Sequence, residues 1–264
     1  MGVGVRSAAG SVRTAAVCAG ALLILGACGG TDDAGAAGAD TDTSPAAPVT
    51  VVDAPDVLSG SVVTDSVDLQ SRMLTPSDLP DGYAVVPDPV RDLGLDPAPE
   101  YDSPDRSGTE PQECADVLAA VGTQSAGASA VADVRYSGPN FSSIDEDAAS
   151  YAGGEDGAGG AGEAFRTVQD TLVGCAEYTG TDADGIDVDF SLSARDQSPV
   201  GDASTSFRLA TTSEGFTLVS DVVIAVVDHT VFQLSVTSQE GVDAASFTAL
   251  ADAAAERIRG DLGS

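Results

Sequence analysis

The sequence predicts an α+β fold in which an antiparallel sheet has its helices packed on one face. Four strand candidates follow one another between residues 186 and 237, and their connections are too short for the crossovers that parallel strands need. Amphipathic helix patterns at 163–177 and 243–259 flank this run. Strands joined as hairpins and flanked by such helices are typical of the α+β class.

The part of the chain before residue 130 predicts two short helices. Thr75 is a suitable N-cap, and Pro76 a suitable first residue, for a single helical turn over 75–80. A second short helix is predicted over 112–121, and it carries Cys114. Its inward-facing apolar residues are Val117 and Leu118.

The middle of the chain predicts a strand and a longer helix. Residues 130–136 alternate, so that Ala132, Val134 and Tyr136 share one face. The stretch 141–151 is ambiguous. The helix over 163–177 places its apolar side chains at helical spacing, and these are Phe165, Val168, Leu172 and either Cys175 or Ala176.

The last third of the chain predicts the core of the sheet. Its strand candidates are 186–194, 204–211, 216–227 and 230–237. The third is apolar on both faces, which is typical of a central strand, and Asp228 and His229 form the tight turn that follows it. The final helix, 243–259, is predicted to stop at Gly260.

The composition excludes nucleic-acid binding as a default function. The chain has 264 residues with 42 acidic and 11 basic side chains, which gives a formal charge of −31. Phosphate binding needs clusters of basic residues, and none is present. With no Trp and one His, the sequence offers few cofactor cages or metal sites, and we expect no cofactor and no metal.

The N-terminus predicts an export signal with a lipid-attachment site. Arg6 and Arg13 precede an apolar run over 15–27, which is too short to span a bilayer. Leu25-Gly26-Ala27 then leads into Cys28, as in a bacterial lipobox. We therefore expect acylated Cys28 to anchor the protein to the lipid bilayer on the extracytoplasmic face of the cell membrane. The alternative is an ordinary secretory signal with an incidental cysteine.

The remaining segments give the predicted domain organisation. Residues 1–27 are the lipoprotein signal peptide, and 67–264 form the folded domain. Between them, 28–66 consist mainly of Gly, Ala, Asp, Thr, Pro and Ser, with too few large apolar side chains to offset the entropy of ordering. This segment is predicted to be a disordered tether.

The cysteines predict a single disulfide. Cys18 lies in the signal and Cys28 takes the lipid, which leaves Cys114 and Cys175 in an exported domain. A bridge between them closes a loop of about 60 residues, worth roughly 4 kcal/mol in the chain-entropy model. A metal-binding or nucleophilic pair is the weaker alternative, because no second ligand cluster accompanies them.

No catalytic residue is predicted. His229 would need a nucleophile and an orienting carboxylate, and a polar turn residue is the favoured interpretation. Asp182-Ala183-Asp184-Gly185 matches only part of a calcium loop, and Asp145-Glu146-Asp147 is not distinctive in so acidic a chain.

Arg135 and Arg208 are the candidate ligand-binding residues. Both are predicted on the sheet face away from the helices, where two guanidiniums could hold an anionic group. Pairing with Asp187 or Asp189 across the strands is the simpler and favoured alternative.

Three segments give the chain a resemblance to a known family. They are Leu-Thr-Pro-Ser-Asp-Leu at 74–79, Pro-Gln-Glu-Cys at 111–114 and Leu-Val-Gly-Cys at 172–175. With the lipobox and the C-terminal amphipathic helix, residues 70–262 resemble the actinobacterial lipoproteins similar to the extracellular sensor domain of the mycobacterial serine/threonine kinase PknH. The resemblance implies an α+β sandwich, a central cleft and a ligand-binding role outside the cell.

These observations together predict a membrane-anchored, non-catalytic sensor-like domain that binds a small ligand or a cell-envelope partner. Two alternatives stay open at this stage. One is an acidic envelope hydrolase that uses Asp/Glu chemistry, and the other is a purely structural surface lipoprotein.

Overall fold

The structure is a computed structural model that describes residues 47–88, 106–153 and 159–260. All belong to the second of the two units into which the chain divides, Ser44–Ser264. The predicted signal peptide, Cys28 and the tether up to residue 46 lie outside the described residues. Within the described ranges, no helix is both long and apolar enough to cross a membrane.

Nine strands form one antiparallel sheet in the described part of the chain. They are β1 (Ala84–Val85), β2 (Gly108–Glu110), β3 (Ala130–Ser137), β4 (Ser143–Ser150), β5 (Glu177–Thr181), β6 (Asp187–Ala194), β7 (Ala203–Ser213), β8 (Phe216–Val227) and β9 (Thr230–Ser238). Their order across the sheet is β1-β3-β4-β9-β8-β7-β6-β5-β2. The predicted α+β class is confirmed, and β8 is the central strand, buried on both faces from residue 220 to 227.

The described residues also contain four α-helices. They are α1 (Ser66–Ser71), α2 (Val121–Gln124), α3 (Ala161–Gly174) and α4 (Ala244–Arg259), with 3-10 turns at Pro76–Asp78 and Gln112–Asp116. The turn capped by Thr75 and the end of α4 at Gly260, whose φ is 84°, agree with the sequence. The single helix predicted over 112–121 is wrong: a 3-10 turn and α2 replace it, and Leu118 is 40% exposed between them.

The helices cover both faces of the sheet, which corrects the predicted single helical layer. On one face α1 and α4 pack against a core that includes Phe232, Leu234 and Val223. On the other face α3 and the disulfide pack against a core that includes Val222 and Ile224. The reason is the two-sided apolar pattern of β8, since each of its faces has to be removed from water.

Residues 47–65 lie against the domain, so the predicted tether is wrong for its second half. The backbone N–H of Val52 donates to Oε1 of Gln169 at 2.7 Å, and Nε2 of Gln169 donates back to the Val52 carbonyl at 3.0 Å. Val49 and Val63 are buried in the two cores. Backbone hydrogen bonds to fixed partners thus order a segment whose composition has few large apolar residues. We call residues 47–65 the strap.

The predicted disulfide is confirmed between Cys114 and Cys175. Cys175 is the C-cap residue of α3, and Cys114 lies in the second 3-10 turn. Both are buried beside Val117 in the core under α3. The bridge therefore fixes the connection that leads into α2 against the end of α3.

Candidate functional site

A polar cleft of about 780 Å³ lies on the sheet face that carries α3. Its floor is formed by rows of directly paired residues on β3, β4 and β9: Asp133, Asp147 and Gln233; Arg135, Asp145 and Ser235; and, on β4 and β9, Ser143 and Thr237. Leu118 and Ala120 form part of one wall, and residues 86–88 form part of another.

The cleft is polar because side chains alternate along its strands. In β9, Phe232, Leu234 and Val236 point into the core under α4, so the residues between them face the cleft. Helix α3 packs over the part of this face where β8 and β7 supply apolar side chains, among them Val222, Ile224 and Phe207. What α3 leaves uncovered is the polar part.

Asp147 and Gln233 form a hydrogen-bonded pair on the cleft floor. Oδ1 of Asp147 accepts the backbone N–H of Val121 at 2.7 Å, and Oδ2 accepts Nε2 of Gln233 at 3.3 Å. Nε2 also donates to the Leu118 carbonyl at 3.4 Å. Gln233 is 3% exposed, and its Oε1 is buried with no hydrogen-bond partner in the described part of the protein. An acceptor oxygen is thus left unsatisfied at the floor of the cleft.

The environment of Asp147 favours its protonated form. Removal from water raises the pKa of this carboxyl from 3.8 to about 7, and the charges of Asp133 and Asp145 add to the rise. The hydrogen bonds from Val121 and Gln233 oppose it. Part of the side chain stays exposed to the cleft, which moderates the effect of burial. Near neutral pH, Asp147 can therefore donate or accept a hydrogen bond.

Arg135 lies in the cleft, and its guanidinium is engaged by an acidic residue. Its Nε pairs with Oδ1 of Asp145, whose Oδ2 accepts the hydroxyl of Ser143 at 2.8 Å. The cross-strand pairing expected as the alternative is therefore present, although the partner is Asp145 and not Asp187 or Asp189.

Arg208 lies on the opposite face of the sheet, so the predicted two-arginine anion site is wrong. Directly paired residues share a face, and the row through Arg208 contains Asp221, Val236 and Tyr136, which border the core under α4. Arg208 binds Asp221 through two nitrogens, at 2.8 and 3.0 Å. Which residues of distant strands share a face depends on the register of every strand between them.

Glu146 also lies on that opposite face, inside the core under α4. It is 2% exposed; Oε2 accepts the N–H of Leu74 at 2.7 Å, and Oε1 has no partner among the described residues. Burial raises its pKa from 4.5 to about 8, whereas the Leu74 hydrogen bond and the charge of Arg257 act to lower it. Glu146 also borders the cleft, but its carboxyl group lies on the core side of β4 with Val134 and Leu234 and binds Leu74 there, so we assign it to the fold.

The other sequence candidates do not assemble into a chemical site. His229 lies in the β8–β9 turn, where its carbonyl accepts the N–H of Tyr151 at 2.8 Å. Oδ1 of Asp182 accepts the N–H groups of Asp184 and Ile186, both at 2.9 Å, so this carboxylate closes a turn. Within residues 47–88, 106–153 and 159–260, no group of three metal-ligating side chains is close enough to hold an ion.

The Asp147–Gln233 pair is not predicted by the sequence. The available signal was weak: Gln233 is one of several polar residues that alternate with apolar ones in β9, and Asp147 stands in an acidic run. Only the β4–β9 register shows that these two residues lie directly opposite one another.

Comparison with solved structures places the fold beside a mycobacterial domain. The chain resembles the extracellular domain of PknH from Mycobacterium tuberculosis with a TM-score of 0.50 and 14% sequence identity, over 76% of this chain and 98% of that one. A Rv0999 ortholog from Mycobacterium smegmatis matches with a TM-score of 0.37 and 12% identity, over 69% and 92%. No protein-family model and no curated protein matches the chain. The first likeness confirms the resemblance in fold that the sequence predicted.

Proposed function

We propose that this protein is a lipid-anchored extracytoplasmic lipoprotein whose domain binds a small ligand in the polar cleft without catalysing a reaction. The observation that carries the proposal is the unsatisfied Oε1 of Gln233 on the cleft floor. It lies next to the Asp147 carboxyl group, whose pKa is raised to about 7. A buried acceptor without a partner is costly, and a ligand that donates a hydrogen bond to it would recover that cost.

The proposed location rests on the sequence and on the fold. The lipobox that ends at Cys28 follows an export signal, and the structural neighbour is described as an extracellular domain. A disulfide in the folded domain fits an oxidising compartment. Acyl chains on Cys28 would then hold the domain at the outer face of the membrane.

The binding role is favoured over catalysis by the residues of the cleft. Among the described residues that line it, none is His or Cys, and the carboxyl group of Asp147 is engaged by Val121 and Gln233. The one hydroxyl that the described lining places against a carboxylate is that of Ser143, and its partner Asp145 is also engaged by Arg135, which does not favour its use as a general base.

An acidic hydrolase is the second candidate, because Asp147 has the property that such an enzyme requires. A carboxyl group with a raised pKa in a cleft can act as a general acid. Glycan and ester substrates, assayed with the wild-type chain and with Asp147→Asn, test this candidate. Turnover that Asp147→Asn abolishes would replace the binding proposal with the hydrolase.

The binding proposal is tested by a thermal-shift screen with monosaccharides, amino acids and small amines. Ser235→Leu adds bulk to the cleft floor and is expected to abolish the stabilisation given by any ligand found. Ser191→Leu makes the same change on β6, away from the cleft, and should leave that stabilisation intact. Stabilisation that survives Ser235→Leu would place the ligand elsewhere, and binding only to envelope fractions would indicate a macromolecular partner.

A further inference from the structure

A second polar site lies on the other face of the sheet, around a buried ion cluster. Asp221 is fully buried on β8, and Arg208 binds both of its carboxylate oxygens. Oδ2 also accepts the N–H of Val242 at 3.0 Å. Arg195 joins this pair, with Nη1 at 2.7 Å from Oδ1 of Asp221. Two guanidiniums thus share one carboxylate, and the cluster carries an excess positive charge.

The side chain of Arg195 has an unused edge. Nε and Nη2 are buried without a hydrogen-bond partner in the described part of the chain. In a planar guanidinium these two nitrogens form one edge, and their N–H groups are parallel and spaced to meet two oxygens of a carboxylate or phosphate. Arg208 supplies an internal reference, because it uses the same two nitrogens to bind Asp221.

The position of this edge is fixed. Cζ of Arg195 lies 4.4 Å from the centre of the Phe247 ring, in a cation–π contact. Its side chain is 9% exposed, and the Asp221 contact fixes the remaining end of the guanidinium. A fork held in this way needs little further ordering to bind an oxyanion.

A groove of about 190 Å³ adjoins Arg195. It is lined by Val49 and Thr50 of the strap and by Ser204 and Ser206 of β7, among others, and the described lining contains no acidic residue. The hydroxyl oxygen of Ser204 accepts the N–H of Val200 at 2.9 Å, which leaves its hydrogen free to donate. In a chain with 42 acidic residues, a groove that offers donors and no carboxylate is suited to a negative group.

We propose that Arg195, with the hydroxyl groups of Ser204 and Ser206, forms a binding site for a small oxyanion, of carboxylate or phosphate type, in this groove. The site is separate from the cleft, since the two share no lining residue and Arg195 is held by Asp221, whose side chain lies on the face of the sheet away from the cleft. The ligand would contribute two oxygens to Nε and Nη2, and a hydroxyl would donate to it.

The test titrates the full-length chain with sodium acetate and, separately, with sodium phosphate, and sodium chloride keeps the ionic strength constant. The readouts are the melting temperature and the Nε–H resonance of Arg195 by NMR. We expect a saturable rise in melting temperature and a shift of this resonance. If acetate binds more tightly than phosphate, the site is one for planar carboxylates. If phosphate binds more tightly than acetate, the site is one for tetrahedral oxyanions. Stabilisation by sodium chloride alone, or an Nε–H resonance that neither oxyanion moves, would overturn the proposal.

Arg195→Lys keeps the charge beside Asp221 but removes the two-nitrogen edge. We expect it to weaken binding by about tenfold or more. The matched control is Arg166→Lys, since Arg166 is exposed on α3 and pairs only loosely with Asp53, at 3.4 Å. Equal affinity in Arg195→Lys and in the wild-type chain would contradict the assignment. If Arg195→Lys does not fold, the Nε–H resonance of the wild-type chain decides.

Discussion

Glu146 and Asp147 are consecutive residues of β4, and their carboxyl groups lie on opposite faces of the sheet. Glu146 enters the core under α4, and Asp147 enters the polar cleft. Each accepts a backbone N–H from a connecting segment, Leu74 in one case and Val121 in the other. Strand β4 thus fixes two segments through hydrogen bonds to its carboxyl groups. Glu146 binds the turn after α1, and Asp147 binds the start of α2.

The first prediction is that stability falls as the pH rises from about 4.5 to about 8. Burial raises the pKa of Glu146 to about 8 in the folded protein, whereas the same carboxyl group has a pKa near 4.5 in the unfolded chain. Between these pH values the unfolded chain loses this proton and the folded protein keeps it, so each rise in pH favours unfolding. The slope from this group is about 1.4 kcal/mol per pH unit at most. Asp147, whose pKa rises from 3.8 to about 7 on folding, also lowers the stability as the pH rises between these two values. Its effect is smaller because part of its side chain is exposed.

Glu146→Gln isolates this contribution. The amide keeps an acceptor for the Leu74 N–H but cannot ionise, so we expect the variant to lose less stability than the wild-type chain between pH 5 and pH 8. Chemical denaturation at several pH values measures the difference. Parallel curves for the two proteins would show that Glu146 does not titrate in this window.

The alternating strands and the last helix were the parts of the fold that the sequence could predict. β3, β6, β9 and α4 each carry a period of 2 or 3.6 that local residues set, and β8 is indicated instead by a run that is apolar on both faces. β5 is not predicted: the predicted helix ends at its first residue, Glu177, and the rest of the segment has too little apolar pattern to indicate a strand. It is a strand through its pairing with β6 and β2. The β2 partner is distant in sequence, and pairing with either neighbour leaves no pattern within the segment itself.

The sites depended on information that the sequence does not carry. Arg135 and Arg208 both alternate correctly within their own strands, yet the register of β4, β9 and β8 between them puts them on opposite faces. Arg195 follows the last residue of β6 and gave no periodic signal. Its role depends on Asp221 and Phe247, which are distant in sequence.

The second prediction concerns the disulfide. Cys114→Ser is expected to cost roughly 2–5 kcal/mol of unfolding free energy, because the unfolded chain regains the freedom of the loop that the bridge closes. Denaturation of the variant and of the wild-type chain without reductant gives the difference. Thiol titration of the unfolded wild-type domain should detect no thiol from Cys114 or Cys175, and two reactive thiols at these positions would contradict the prediction.

The third prediction concerns anchoring. Cys28→Ala removes the acceptor for acylation, so we expect the protein to leave the membrane fraction. Fractionation followed by mass spectrometry of the mature N-terminus measures this. Cys18→Ala is the control, because that residue lies within the predicted signal. A mature protein that starts at another residue and is unmodified would show that the lipobox is not used.

The fourth prediction is that Gln169→Leu releases the strap while the rest of the domain stays folded. The Gln169 side chain is fully buried and both accepts from and donates to Val52, so a leucine of similar size leaves the N–H and the carbonyl of Val52 without partners. We expect the free energy of local opening at Val52 to fall by about 1–3 kcal/mol.

Amide hydrogen exchange measures this opening, and limited proteolysis of the variant should cut the chain within residues 47–65. Val173→Ala, on an exposed position of the same helix, is the control and should leave the strap protected. If Gln169→Leu unfolds the whole domain in one transition, the strap is part of the cooperative core, and this prediction is wrong.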